Sequence, residues 1–262
     1  MKYKLTLISF LALLLASCSS QYQALQESTD IEAKYKGAFD FFNAGKYAKA
    51  AALFESLQLP MNGTPQDDTV QFYTGYAHYK DRDLSNAEPC FETFINTYPR
   101  SPFADKAAYL RIQCLYNETY RYQLDQTPTY KTINVISQYI SENPNSKYKA
   151  ECLKILEDLD KRLDTKQYES AKLYYTIEEY KSAHYALKNV LKENAENIYR
   201  EDILYYTAMS AYKYALNSVK SKQKERYMIF SDDYYNFVGE YPDSKYRKEL
   251  DNLFEKIQKF LD

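Results

Sequence analysis

From residue 31 onward apolar side chains return every three or four positions, broken at intervals by short polar stretches. That period marks helices that bury one face. It predicts five antiparallel helix pairs, at about 31–58, 68–98, 102–142, 147–193 and 198–240, and a last helix at 244–261. In the last helix Leu250, Leu253, Phe254, Ile257, Phe260 and Leu261 form one stripe, against Lys245, Arg247, Lys248, Glu249, Lys256 and Lys259. Such a helix closes the open end of a stacked array, whose final unit would otherwise expose its core face. Turns are expected at 60–67, with Pro60, Gly63 and Pro65, and at 124–130, around Pro128. Residues 19–30 are polar, lack a period, and read as a tether of at most about 40 Å when extended.

Between the pairs a short signature recurs: Tyr98-Pro99-Arg100-Ser101, Asn143-Pro144-Asn145-Ser146 and Tyr241-Pro242-Asp243-Ser244, with a decayed copy at Asn194-Ala195-Glu196-Asn197. Pro cannot continue the helix before it, and Ser or Asn caps the helix that follows. Upstream, Gly75, Ala87, Phe91, Phe94 and Pro99 have the offsets of a tetratricopeptide unit, where a small residue lets two helices approach and Phe fills the gap. Ala38, Phe41, Ala50, Phe54 and Leu57 repeat those offsets, as do Ala171, Tyr174, Ala183, Leu187 and Val190. Ile136/Tyr139 and Tyr234/Phe237 hold the second-helix positions in two looser units. The expected fold class is all-α: a tetratricopeptide-repeat solenoid of about five helix pairs plus a C-terminal capping helix. On the first helix of a pair, positions between the packing residues face a groove: Tyr35, Phe39 and Phe42 in the first unit, Phe72, Tyr76 and Tyr79 in the second. An aromatic groove binds extended or helical peptides by burying their rings in fixed pockets.

The N-terminus has a different pattern. Lys2 and Lys4 precede an apolar run, Leu5 to Leu15, and then Ala16-Ser17-Cys18. A basic start, a short apolar stretch and small residues are the layout of a secretory signal. The run is too short to span a bilayer comfortably. Leu15-Ala16-Ser17-Cys18 resembles a bacterial lipobox, cleaved before a cysteine that becomes acylated. Residues 1–17 then form a lipoprotein signal peptide, and 18–30 a lipidated tether. The amino-terminal half is 31–143 and the carboxy-terminal half 144–262. Acyl chains attached at Cys18 anchor a mature protein to a membrane.

Composition narrows the chemistry. The chain has 34 basic and 36 acidic residues, and loss of Lys2 and Lys4 moves the formal charge from −2 to −4. No basic footprint for nucleic acid exists. Five glycines and eight prolines leave few breaks, which favours long helices. Thirty tyrosines without a tryptophan suit helices that line a partly exposed groove, ring packed and hydroxyl wet. Cys90, Cys114 and Cys152 fall in helical patterns and read as small hydrophobes, with a Cys90–Cys114 bridge left open. Cys-x-x-Cys and Cys-x-x-His spacings are absent, so zinc has no sequence support. His78 and His184 lie among aromatics, with no nucleophile motif around them. Glu178-Glu179 and Asp232-Asp233 read as solvated helix faces, and Asp67-Asp68 as the acidic start of a helix. No phosphate loop or nucleophile elbow occurs, so no enzyme, metal or cofactor is expected.

The lipobox, the tether, the five pairs and the closing helix together resemble the BamD family of lipoproteins, over nearly the whole chain. Its best markers are Phe91-x-x-Phe94-x-x-x-Tyr98-Pro99-x-Ser101 and Tyr234-x-x-Phe237-x-x-x-Tyr241-Pro242-x-Ser244. The resemblance implies a periplasm-facing protein on the outer membrane, part of the machinery that assembles β-barrels. Its carboxy-terminal repeats would dock on the barrel subunit's periplasmic domains, and its amino-terminal groove would receive unfolded barrel precursors. Arg200 matches a basic residue that the family places near the barrel-subunit contact. Two other classes stay open: a lipoprotein that captures glycan for an importer, and a scaffold for another envelope complex.

Overall fold

A computed structural model describes residues 21–261. The described residues are helix and turn, with no strand among them. A short helix α1 (21–27) precedes α2 (Ile31–Asn43) and α3 (Tyr47–Gln58). Then come α4 (Asp67–Lys80), α5 (Leu84–Thr97), α6 (Ala104–Asn117) and α7 (Thr127–Glu142). The rest are α8 (Lys149–Thr176), α9 (Tyr180–Glu193), α10 (Arg200–Leu216), α11 (Lys220–Glu240) and α12 (Arg247–Leu261). These are the five expected pairs and the closing helix. The chain divides into two compact units: one up to residue 120 with 127–156, the other 121–126 with 157–262.

In the first unit the small residues do what their spacing requires. Ala38 and Ala50 are fully buried where α2 meets α3, and Phe54 and Leu57 fill the space beside them. At Gly75 a Cβ would lie 3.0 Å from Cys90 Cβ and 3.1 Å from Phe91 Cε1, so α4 and α5 approach more closely than alanine allows. In the second unit Ala171 faces Leu187 and Val190, and Ala208 shares a core with Phe230, Tyr234 and Phe237. Tyr174 is exposed, unlike the packing role its offset suggested. Leu250 and Ile257 of α12 are buried, and Phe254 stacks on Tyr234 with ring centroids 4.3 Å apart, so the last helix closes this core.

The signature turns are tertiary staples. Ser101 Oγ donates to Asp68 Oδ2 (2.7 Å) near the start of α4 and accepts from Phe103 N (3.2 Å). Ser244 Oγ likewise donates to Glu201 Oε1 (2.6 Å) and accepts from Tyr246 N (3.0 Å). At Ser146 the link runs through Tyr139 Oη, 2.6 Å from Ser146 Oγ and 2.6 Å from Asp105 Oδ1. In the decayed copy Asn197 Oδ1 accepts from Tyr199 N (2.9 Å), while Asp164 accepts from Ile198 N (3.0 Å) and Asn194 Nδ2 (2.7 Å). The signature residue therefore organises the turn before the helix. It is not the N-cap itself, which is Phe103 for α6 and Tyr199 for α10.

Four residues after each acid stands an aromatic, and two after each Ser or Asn stands another. The two rings stack: Phe72–Phe103 at 4.6 Å, Tyr109–Tyr148 at 4.3 Å, Tyr168–Tyr199 at 4.7 Å and Tyr205–Tyr246 at 3.9 Å, all within 15° of parallel. Six of the thirty tyrosines thus lock turns rather than line a groove.

Two further expectations are corrected. Pro128 lies in the first turn of α7, where its missing N–H leaves no bond unmade, so the turn is confined to 118–126. The tether is shorter than 19–30, because residues 21–27 are helical and pack on the first pair. Tyr22 sits edge-on to Phe41 at 5.6 Å, and Leu25 covers Gly37. Two apolar residues are too few for a period to register in the sequence.

Candidate functional site

The six aromatics expected to line a groove come from α2 and α4. Five of them, Tyr35, Phe39, Phe42, Tyr76 and Tyr79, are half-buried in one connected aromatic cluster. Its centre is Tyr73, which the sequence reading missed. Tyr73 lies 4.7 Å from Phe39 and 5.2 Å from Phe42, both edge-on. Tyr35 meets Phe39 at 5.0 Å, Phe42 meets Tyr76 at 5.4 Å, and Tyr76 stacks on Tyr79 at 6.4 Å. Lys106 of α6 places Nζ 4.1 Å from the centroid of Tyr76, a cation on the ring face.

Phe72 does not belong to this surface. It is 1% exposed and stacks on Phe103 in the core of the second pair. It precedes Gly75 by three residues, so it shares the helix face that meets α5. Tyr73, one residue on, is turned by about 100° toward α2. That i, i+1 distinction was the available signal.

The phenols of Tyr35 and Tyr79 are shifted above the ordinary tyrosine range, chiefly by burial. They remain neutral donors at physiological pH. The cluster therefore offers ring faces, hydroxyls and one ammonium, which is chemistry for holding aromatic or apolar side chains.

Arg200 opens α10. Its Nη1 donates to Ala195 O (2.8 Å), and its Nη2 and Nε hold both oxygens of Glu240, at 2.9 Å for Nη2–Oε2. This fork holds Glu240 below the usual glutamate range. Arg200 thus joins the decayed turn to the end of α11.

Both histidines have acidic neighbours invisible in the linear sequence. His78 has Nε2 2.8 Å from Glu55 Oε1 and Nδ1 3.1 Å from Asp83 Oδ2. His184 is buried with Nε2 2.6 Å from Asp233 Oδ2, and Lys188 Nζ lies 3.0 Å from Asp233 Oδ1. Asp233 is 6% exposed and not part of a solvated face. Its pairing joins α9 to α11.

Cys90, Cys114 and Cys152 are free thiols, and burial pushes them up to about 11, 12 and 11. Among the described residues no group of three His, Cys, Asp or Glu side chains could hold a metal. No helix among them is long and apolar enough to cross a membrane. The signal segment and Cys18 lie outside the described residues.

Comparison with known proteins places these features in a family. The chain is similar to the outer membrane protein assembly factor BamD of Neisseria gonorrhoeae, 26% identical over 216 residues that span 77% of this chain and 81% of that protein. It is 27% identical over 163 residues to BamD of Neisseria meningitidis, covering 56% of this chain and 61% of the relative. With BamD of Caulobacter vibrioides it shares 25% identity over 47% of this chain and 40% of that protein. The model of the YfiO family, described as outer membrane lipoprotein, matches residues 27–227, which reach from the end of α1 into α11. That span is well over half the sequence, and the chain belongs to the YfiO family of outer membrane lipoproteins.

Proposed function

We propose that this protein is a non-catalytic assembly factor for outer-membrane β-barrel proteins. Acyl chains on Cys18 hold it in the outer membrane, facing the periplasm. The observation that carries the reading is the family match over residues 27–227, together with relatives named as outer membrane protein assembly factors. The aromatic cluster supports a role for the amino-terminal half, 31–143, as receiver of unfolded barrel precursors. Tyr35, Phe39, Phe42, Tyr76 and Tyr79 keep part of each ring accessible, and such rings anchor extended chains at low entropic cost. The carboxy-terminal half, 144–262, docks on the periplasmic domains of a BamA-type barrel subunit. Arg200 serves there by ordering the turn at 194–197 through Ala195 and Glu240.

Affinity purification of the tagged, membrane-solubilised protein tests this reading. Co-purification of a barrel protein with tandem periplasmic domains is expected. Recovery of a nutrient importer or a cell-wall synthase instead would keep the fold and overturn the function. Cys18→Ala is expected to release a folded protein from the membrane fraction, and retention would remove the anchor from the proposal.

A further inference from the structure

The segment joining the anchor to the repeats has no slack over its described length. Tyr22 packs on Phe41, Lys49 Nζ lies 5.1 Å from the Tyr22 centroid, and Leu25 fills the space left by the missing side chain of Gly37. Lys34 Nζ donates to Gln26 O (3.1 Å) at the end of α1. Residues 28–30 form a tight link, with Asp30 N donating to Ser28 Oγ (3.0 Å) and Asp30 Oδ1 capping Ala33 N (2.9 Å). Only Ser19 and Ser20 separate Cys18 from this docked segment, a gap of at most about 11 Å if fully extended. A free tether from 19 to 30 would allow roughly 40 Å.

We infer that α1 is a rigid stem that seats the first helix pair on the headgroup layer of the membrane, with Lys34, Lys46 and Lys49 facing lipid phosphates. The inference rests on acylation of Cys18. Lys34 lies at the end of α1 and Lys49 over Tyr22, while Lys46 has its Nζ 5.6 Å from the centroid of Phe41, the ring on which Tyr22 packs. Residues 21–49 hold four acids, Glu27, Asp30, Glu32 and Asp40, against four lysines, Lys34, Lys36, Lys46 and Lys49, so the attraction depends on where the lysines sit and not on net charge. A gap of at most about 11 Å is only a little more than one Debye length, about 8 Å at physiological salt, so these ammonium groups still feel the field of anionic headgroups. The same contact fixes the height of the α2–α4 aromatic cluster above the bilayer.

Energy transfer measures that height. The full acylated protein carries a donor dye at Ala44→Cys, at the exposed end of α2, in phosphatidylethanolamine–phosphatidylglycerol vesicles with acceptor-labelled headgroups. Cys114 and Cys152 are buried, and Cys90, which is half-buried, is changed to Ala in the labelled protein, so the dye reports from position 44. High transfer is expected for the unaltered stem. An insert of about 12 Gly/Ser residues between Ser20 and Gln21 leaves α1 docked and lengthens the link, so transfer should fall at least twofold while the protein still floats with vesicles. Tyr22→Ser with Leu25→Asp, which frees α1, should give the same fall, as should Lys34→Glu, Lys46→Glu and Lys49→Glu together. Equal transfer with and without the insert overturns the stem. So does high transfer that requires an added protein partner, which would assign this face to that partner. If the unaltered protein fails to float, the anchor reading has failed and the stem with it; flotation with low transfer sinks the stem alone.

Discussion

The first two helix pairs align at an offset of 37 residues, Ala38 with Gly75, Ala50 with Ala87 and Phe54 with Phe91, yet they use their aromatics differently. Where the second pair has Asp68, Phe72, Ser101 and Phe103, the first has Ile31, Tyr35, Thr64 and Gln66. In the second, the serine hydroxyl reaches the acid and the two rings stack, which leaves Phe72 1% exposed. In the first, no acid faces the turn from position 31 and no ring comes from position 66. The turn is held instead by Asp67, whose Oδ2 accepts from Gly63 N (2.8 Å), and by Thr64 Oγ1 donating to Met61 O (2.7 Å). Tyr35 stays half-buried and edge-on to Phe39. An aromatic at this position is structural when its turn supplies a second ring, and accessible when the turn supplies an amide.

The sharpest way to break that comparison is to truncate both rings. Phe72→Ala should cost about 3–5 kcal/mol by leaving a cavity, whereas Tyr35→Ala should cost less than about 1 kcal/mol, near the scale of surface changes. Urea unfolding of the mature chain reads both, and equal losses would mean that Tyr35 is core. Gly75→Ala comes next. Its new Cβ must displace Cys90 and Phe91, for about 1–3 kcal/mol and a lowered Tm. Gly239→Ala, inside α11 where a Cβ meets nothing within 4 Å, is the control for helix propensity alone and should stabilise by at most about 1 kcal/mol.

Rebuilding the staple in the first pair sharpens the contrast. Ile31→Asp, Thr64→Ser and Gln66→Phe together should bury Tyr35 under a stacked ring and add about 0.5–1.5 kcal/mol. Affinity for an unfolded barrel-strand peptide, followed by tyrosine fluorescence, should fall several-fold. Unchanged affinity would exclude Tyr35 from peptide binding. The smallest effect lies in the decayed turn of the second unit. Arg200 depresses the Glu240 pKa below 4.5, so the stability it adds is complete above that value and disappears as pH falls through the lower folded value. Both side chains are one-third exposed, so the contribution is at most about 1 kcal/mol. Arg200→Ala should lower the urea midpoint above the glutamate range and leave it unchanged well below. An equal loss at both pH values would point to the Ala195 contact instead.

The comparison also shows where the sequence was legible. Helix pairs were readable because burial of one face imposes a local period, and their observed bounds fall within a few residues of those expected. The proline signatures were readable because Pro ends a helix whatever lies around it. The staple was only half visible: serine stood out beside proline, but its acid lies 33 residues away at Asp68 and 43 at Glu201. Phe72 was misplaced because its i, i+3 relation to Gly75 was the only local mark of its burial, and the ring that stacks on it, Phe103, lies far along the chain. His184 and Asp233, 49 residues apart, carry no local mark of their 2.6 Å contact.

The sequence by itself determined the elements and the family, since periodicity, small-residue spacing and helix-breaking residues act within one or two turns of chain. Tertiary structure alone decided which aromatics are locked and which remain accessible. It also decided that residues 21–27 are docked on the first pair and that Asp233 is buried. Each of those outcomes depends on a second group outside the local helical turns, from Gly37 beside Leu25 to Asp233 beside His184, and burial and stacking energies exist only once both partners are in place.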